Sequence, residues 1–184
     1  MKEVNINSYL VASLRELGYH THKIPDNMGM AARFSPDKPY DIFSVNEVTM
    51  GVETKLVKPK GKSNFSSFRF NMFEHQQLPW LYDINRRSHG VGIVALCIWK
   101  PRSIHRMYLF NVMEILKRMN EGKTSLLGKE IEQLTNFWEC KKNIYQFPTN
   151  LEEIMTAKKL ELQNEINEET DRSIQSILEQ FTGE

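Results

Sequence analysis

The sequence predicts an α/β domain: a mixed central β-sheet flanked by helices, with a C-terminal helical extension. Three observations predict it. Short segments of alternating or continuous apolar character recur at 19–24, 40–45, 48–57, 91–99 and 105–112. Helical periodicity opens the chain and returns between the third and fourth of these segments. The last thirty residues or so repeat apolar residues at helical spacing, with a composition unlike the rest.

Ile6, Leu10, Leu14 and Leu17 share one face of a helix over 3–17, which Gly18 ends. "YHTHKI" (19–24) alternates as a strand. Residues 25–39 are rich in Asp, Asn, Gly and Pro and read as a loop. "YDIFSV" (40–45) turns through Asn46 and Glu47 into the third strand, 48–57. The stretch 58–71, basic and Ser/Asn-rich, reads as a second loop. Residues 72–87 are helical in pattern, with Pro79 either kinking the helix or marking a first turn. "GVGIVALCIW" (90–99) has the length of a strand buried on both faces. A fifth strand, 105–112, runs into a helix over 111–119. Residues 121–150 are ambiguous, with a short strand within "NFWECKKNIYQFP". Residues 151–181 read as one long helix carrying Leu151, Met155, Leu162, Ile166, Ile174, Leu178 and Phe181. The division is a body over 1–150 and an acidic helical extension over 151–184.

The chain has 184 residues, 40% hydrophobic and 26% charged, a globular composition. No apolar run reaches membrane-spanning length. The N-terminus lacks the apolar core of a signal peptide. Cys97 and Cys140 fit neither zinc spacing nor a disulfide framework, so a reducing, cytoplasmic setting is expected. The net charge of +1 conceals an asymmetry. Residues 151–184 hold three basic and nine acidic residues, and the body holds 21 basic and 14 acidic. A basic body suits a polyanionic partner, although a solvated surface with a charged tail has the same composition.

The chemistry-bearing residues lie on the second and third strands. On a strand, Glu53 and Lys55 share a face. Asp41 begins the preceding strand, one short hairpin away, and can share that face. Two carboxylates held close together repel unless a divalent cation lies between them. Mg²⁺ takes oxygen ligands, keeps waters, and seldom uses more than two carboxylates. A lysine beside such an ion can hold a phosphate or stabilise charge developing on it. From spacing alone, a turn aspartate and a Glu–Lys surface pair account for the same letters.

"KPYDIF…GVETK" resembles the PD-(D/E)xK nuclease motif, with Tyr40 between the proline and the aspartate. "KLVKPKGKSNFSSFRFNMFEHQ" (55–76) followed by "GVGIVALCIW" is similar to Holliday-junction resolvases of the RecU type. "EHQ" and "LRELGY…IP" resemble the archaeal Hjc type. The resemblance covers roughly residues 8–110 and implies a restriction-endonuclease-like core. It also implies a Mg²⁺-dependent endonuclease, with Mn²⁺ as a substitute, that hydrolyses phosphodiester bonds at four-way DNA junctions as a homodimer. Residue by residue, it makes Asp41 and Glu53 metal ligands, the Thr54 carbonyl a further ligand, and Lys55 the catalytic lysine. Gln76 becomes a catalytic residue that positions water or phosphate.

Two departures stand out. Related resolvases carry a first-helix glutamate near the position of Asn7, whereas here the nearest is Glu3, one turn earlier, a candidate additional metal ligand. The loop 25–39 is short for the junction-engaging stalk of the RecU type.

Lys58, Lys60, Lys62 and Arg69, interleaved with Phe65, Phe68 and Phe70, suggest a DNA-contacting loop. A solvated loop with core-facing phenylalanines is the alternative. Arg86 and Arg87 are further candidate phosphate contacts. His75 reads as structural or DNA-facing, and His20 and His22 as surface residues. The acidic C-terminal helix packs on its own domain, pairs in a dimer or docks another protein. Two other functions fit the same core. One is a related nuclease acting on another DNA substrate, restriction-like or in replication and repair. The other is a DNA-binding module without catalysis.

Overall fold

The computed structural model describes residues 2–24, 40–59, 67–74 and 76–182, without the side chains of Glu3 and Val4. The loop 25–39, Lys60, Lys62, Phe65 and His75 lie outside the described residues.

A helix α1 (Glu3–Glu16) precedes three strands, β1 (His20–Lys23), β2 (Ile42–Val45) and β3 (Thr49–Val57). A short β4 (Phe68–Arg69) and a 3-10 turn (Phe70–Met72) lead to α2 (Gln77–Arg86). Then come β5 (Gly90–Lys100), β6 (Ile104–Asn111), α3 (Val112–Asn120), β7 (Ser125–Leu126) and α4 (Gly128–Leu134). The chain closes with β8 (Phe137–Lys141), β9 (Ile144–Tyr145), α5 (Leu151–Asn164) and α6 (Glu168–Thr182). Among the described residues, seven strands form one sheet in the order β1-β2-β3-β5-β6-β8-β9, and β4 pairs with β7 apart from it. The β3–β5 pair is parallel and its neighbours are antiparallel, so the fold is α/β with a mixed sheet flanked by helices.

Each face of the sheet carries a core. On one, Ile6, Leu10 and Leu14 of α1 meet Ile42, Met50, Val52, Ile93 and Ala95. On the other, Leu78 and Leu81 of α2 and Leu116 of α3 meet Val57, Val94, Leu96 and Ile98. The two faces follow from strand alternation, because residues two apart turn to the same side.

Pro79 sits in the first turn of α2, where its missing N–H breaks no helical bond. The helix lies very close to β5. A Cβ added at Gly92 would fall 2.1 Å from the Leu81 carbonyl oxygen, and one at Gly90 2.0 Å from that of Ile84. These are backbone atoms of a packed helix and cannot move aside singly. Gly92→Ala is therefore expected to destabilise the fold by about 2–3 kcal/mol, the usual cost of overpacking. Urea unfolding monitored by circular dichroism checks it.

The C-terminal segment is two helices, not the single one its periodicity suggests. The break falls at 165–167, where the Asn167 side chain accepts from the Thr170 N–H at 2.8 Å and starts α6. Helix α5 gives Leu151 and Met155 to one core and Leu162 to the other, and α6 adds Ile174 and Leu178. Lys159 is buried, its ammonium donating to the carbonyls of Arg87 at 2.6 Å and Gly90 at 2.8 Å. This lysine satisfies the backbone where α2 turns into β5. Residues 137–145, ambiguous in sequence, form the β8–β9 hairpin, and the stretch read as loop before α2 contains β4.

Glu114, in the first turn of α3, is 4% exposed. Burial pushes its carboxyl up to about 7, against the pull of Lys158 at 3.7 Å and of Arg118. The unfolded chain titrates near 4.3, so between these values the folded state holds the extra proton. Stability from this group is fully present below about pH 4 and is lost as pH rises to about 7. Glu114→Gln should remove up to about 3 kcal/mol of that decline. Denaturant unfolding of both proteins at pH 5 and pH 8 reads the difference.

Candidate active site

The hairpin β2–β3 pairs Ile42 with Val52, which brings Asp41 level with Glu53. The Asp41 N–H donates to the Val52 carbonyl at 3.0 Å. Pairing of β2 stops there, and the next inward amide of β3 takes a side chain instead. The Thr54 N–H donates to Asp41 Oδ2 at 2.9 Å. The Thr54 hydroxyl bridges Asp41 Oδ2 and the Asn7 side chain. The hydroxyl faces Asn7 Oδ1 on one side and Asp41 Oδ2 on the other, and so ties Asp41 to α1. Asp41 therefore lies along the sheet edge at Thr54, toward α1, rather than squarely on the Glu53 and Lys55 face. Because N–H and C=O of one strand residue point the same way, the Thr54 carbonyl also points past the end of β2 toward Asp41.

On the face turned to α2, Lys55 Nζ lies 2.7 Å from Glu53 Oε1. It also donates to Gln77 Oε1 at 2.9 Å and sits 5.3 Å from the ring centre of Phe73. The same Gln77 oxygen accepts from the Glu74 N–H at 2.8 Å, which fixes it. Asn7, Asp41, Glu53, Thr54, Lys55 and Gln77 are all buried, between 0% and 8% exposed. This is a buried ionic and polar cluster on adjacent strands, not a surface pair. Burying charges is costly and gains its return only with good geometry, which makes such a cluster in a core a functional candidate.

The glutamine at the site is Gln77, not Gln76. Gln76 takes a left-handed conformation (φ 68°) just before α2, and its N–H donates to the Phe181 carbonyl at 3.0 Å. That turn hands the inward position to the next residue, the first of the helix. The doubled glutamine was the available signal, and it could not say which of the two would face Lys55. Asn7 is the first-helix residue that reaches the site, through Thr54. Glu3 begins the same helix, and its side chain is outside the described residues.

Of the candidate DNA contacts, Lys58 is exposed just past β3, and Arg69 is exposed on β4. Phe68 and Phe70 are core residues, at 0% and 3% exposure, so they do not stack on bases. Arg86 and Arg87 are at the wrong end. The Thr49 N–H donates to the His89 carbonyl at 2.7 Å, which places the end of α2 beside the start of β3. Six residues of strand, about 20 Å, separate that level from Lys55. His20 and His22 are partly or fully exposed on the edge strand β1.

Among the described residues, no group of three or more His, Cys, Asp or Glu is placed to hold a metal, and no helix is long and apolar enough to cross a membrane. The donors at hand are two carboxylates and a peptide carbonyl. These are hard oxygen ligands, a set that fits Mg²⁺ with water completing the shell.

No protein-family model matches the chain, and no curated protein matches it. Among solved structures, it is similar to Hjc of Archaeoglobus fulgidus, a Holliday junction resolvase from an archaeal hyperthermophile, at 19% identity and a TM-score of 0.48, over 72% of this chain and 93% of that one.

Proposed function

We propose that the protein is a Mg²⁺-dependent DNA endonuclease, and that its substrate is a four-way DNA junction. The observation that carries the chemistry is the buried set Asp41, Glu53 and Lys55, held at one level of β2 and β3 with Gln77 on the lysine. The order of elements around it accords with a restriction-endonuclease-like core: a first helix, an antiparallel hairpin, then a helical crossover to a parallel strand. The junction rests on the sequence resemblance to resolvases.

Asp41, Glu53 and the Thr54 carbonyl would hold the ion, with Mn²⁺ able to replace Mg²⁺. The ion supplies Lewis acidity and a water acidic enough to attack at neutral pH. The chain's own residues do the rest. Among the described residues, Lys55 uses two of its three donors on Glu53 and Gln77, which leaves one for a phosphoryl oxygen. Gln77 keeps the ammonium from swinging away. The amino end of α2 stands beside it and favours negative charge. Thr54 and Asn7 hold Asp41 from behind, so its carboxylate need not reorganise.

Two copies related by a two-fold axis would present two such centres for opposed incisions. The basic body suits the backbone of branched DNA. Incubating the protein with labelled four-way junction, flap and linear duplex, with and without Mg²⁺, tests the reading. Metal-dependent paired cuts in the junction are expected. Cutting confined to flap or linear duplex would assign another nuclease substrate, and junction binding without cutting would assign a non-catalytic module.

A further inference from the structure

Resting on that nuclease reading, we propose that the β5–β6 hairpin is a second phosphate-binding site, through Lys100 and Arg102, that holds the DNA backbone beyond the reacting phosphate. Neither residue belongs to the basic loop after β3 or to α2.

Because β3 and β5 are parallel, both end at the same edge of the sheet, the edge toward which the buried cluster lies. Val57 pairs with Ile98, so Lys58 and the start of the basic loop leave the sheet beside Trp99 and Lys100. By strand alternation Lys100 follows Leu96 and Ile98 onto the face that carries Glu53 and Lys55. Leu96 is the partner of Lys55, and Lys100 is four residues further on. One strand spacing and four residues of rise place the two lysines about 14 Å apart. That is about four base pairs of duplex.

The hairpin encloses a concave site of about 400 Å³, lined by Trp99, Lys100, Arg102, Ser103, Arg106 and Glu139 among others. Arg106 is its fixed wall, stacked 4.0 Å from the Phe137 ring centre and 3.8 Å from Glu132. Glu139, paired across the strands with Arg106, is the acid lining the site. Burial pushes the His105 imidazole below its usual value. Lys100 and Arg102 are the cations at the rim, Lys100 besides its contacts within the protein. Arg102 is exposed at the tip and holds φ 58°, where glycine or asparagine would sit with less strain. A long cation kept at that position projects beyond the sheet edge. A polyanion running from Lys55 along this edge meets Lys58, then Lys100 and Arg102.

The test compares wild type with the double variant Lys100→Gln, Arg102→Gln, on a labelled four-way junction, by fluorescence anisotropy in EDTA across 50–300 mM salt. Binding in EDTA is read whether or not the protein cuts, so the outcome is separable from that of the nuclease reading. The slope of log K against log salt is expected to fall by about 1.8, with binding at 0.1 M salt weaker by roughly 60-fold. Unfolding curves for both proteins should coincide, since neither side chain is in the core. A slope equal to wild type overturns the proposal and leaves Asp41, Glu53 and Lys55 as the reacting centre. A poly-glutamate peptide that binds wild type but not the variant, with the DNA slope unchanged, would assign the site to an acidic protein and also overturn it.

Discussion

Lys55→Met should lose cleavage by at least 100-fold and lower stability by about 3–5 kcal/mol, while Glu53→Gln with Lys55→Met should recover most of the stability and none of the cleavage. The two side chains are buried and 2.7 Å apart. Removing the ammonium leaves a carboxylate in the core without its cation, and this dominates the cost. Removing both charges together replaces an ion pair by groups of similar volume, which is often close to neutral. If the pair were only structural, stability and activity would recover together in the double variant. Denaturant unfolding and junction cleavage, measured on all four proteins of the cycle, separate the two roles.

Removal of residues 151–184 should unfold the domain rather than release an independent tail. Leu151 and Met155 are part of one core, and Leu162, Ile174 and Leu178 of the other, each at 5% exposure or less. Each such side chain is worth about 2 kcal/mol on burial, and their combined loss is comparable to the stability of a whole domain. Lys159 goes too, which strips the carbonyls of Arg87 and Gly90 of their donor. Far-UV circular dichroism and sedimentation of the truncated chain report the outcome. A cooperatively folded and active product would show that the segment is a docking arm.

Much of the site was legible because its logic is local. Alternation puts Glu53 and Lys55 on one face, and the short β2–β3 connection brings Asp41 level with them in register, although its carboxylate turns to Thr54 and α1. The role of the glycines heading β5 shows only in the structure, where α2 lies against them. What stayed hidden depends on long-range geometry. Gln76 and Gln77 are chemically the same, and only the left-handed turn before α2 decides between them. Arg86 and Arg87 looked available for phosphate as helix-end cations. Yet a helix that joins two parallel strands must carry the chain back to where the first began, so its last turn falls far from the end of β3. The break between α5 and α6 was concealed by an apolar stripe that runs on through both helices.

In the proposed function, Asp41 with Glu53 and Lys55 forms a metal-dependent phosphodiesterase centre. Asp41→Asn removes one negative charge and keeps the side-chain shape. The most direct measurement is single-turnover cleavage of an end-labelled four-way junction by wild type and Asp41→Asn across a Mg²⁺ titration, with junction binding read in parallel. Mg²⁺-dependent cutting by wild type is expected, with loss of at least 100-fold in the variant and binding kept or tightened because a carboxylate that repels phosphate is gone. Cleavage by Asp41→Asn near the wild-type rate, or no cleavage by wild type in Mg²⁺ or Mn²⁺, would contradict it.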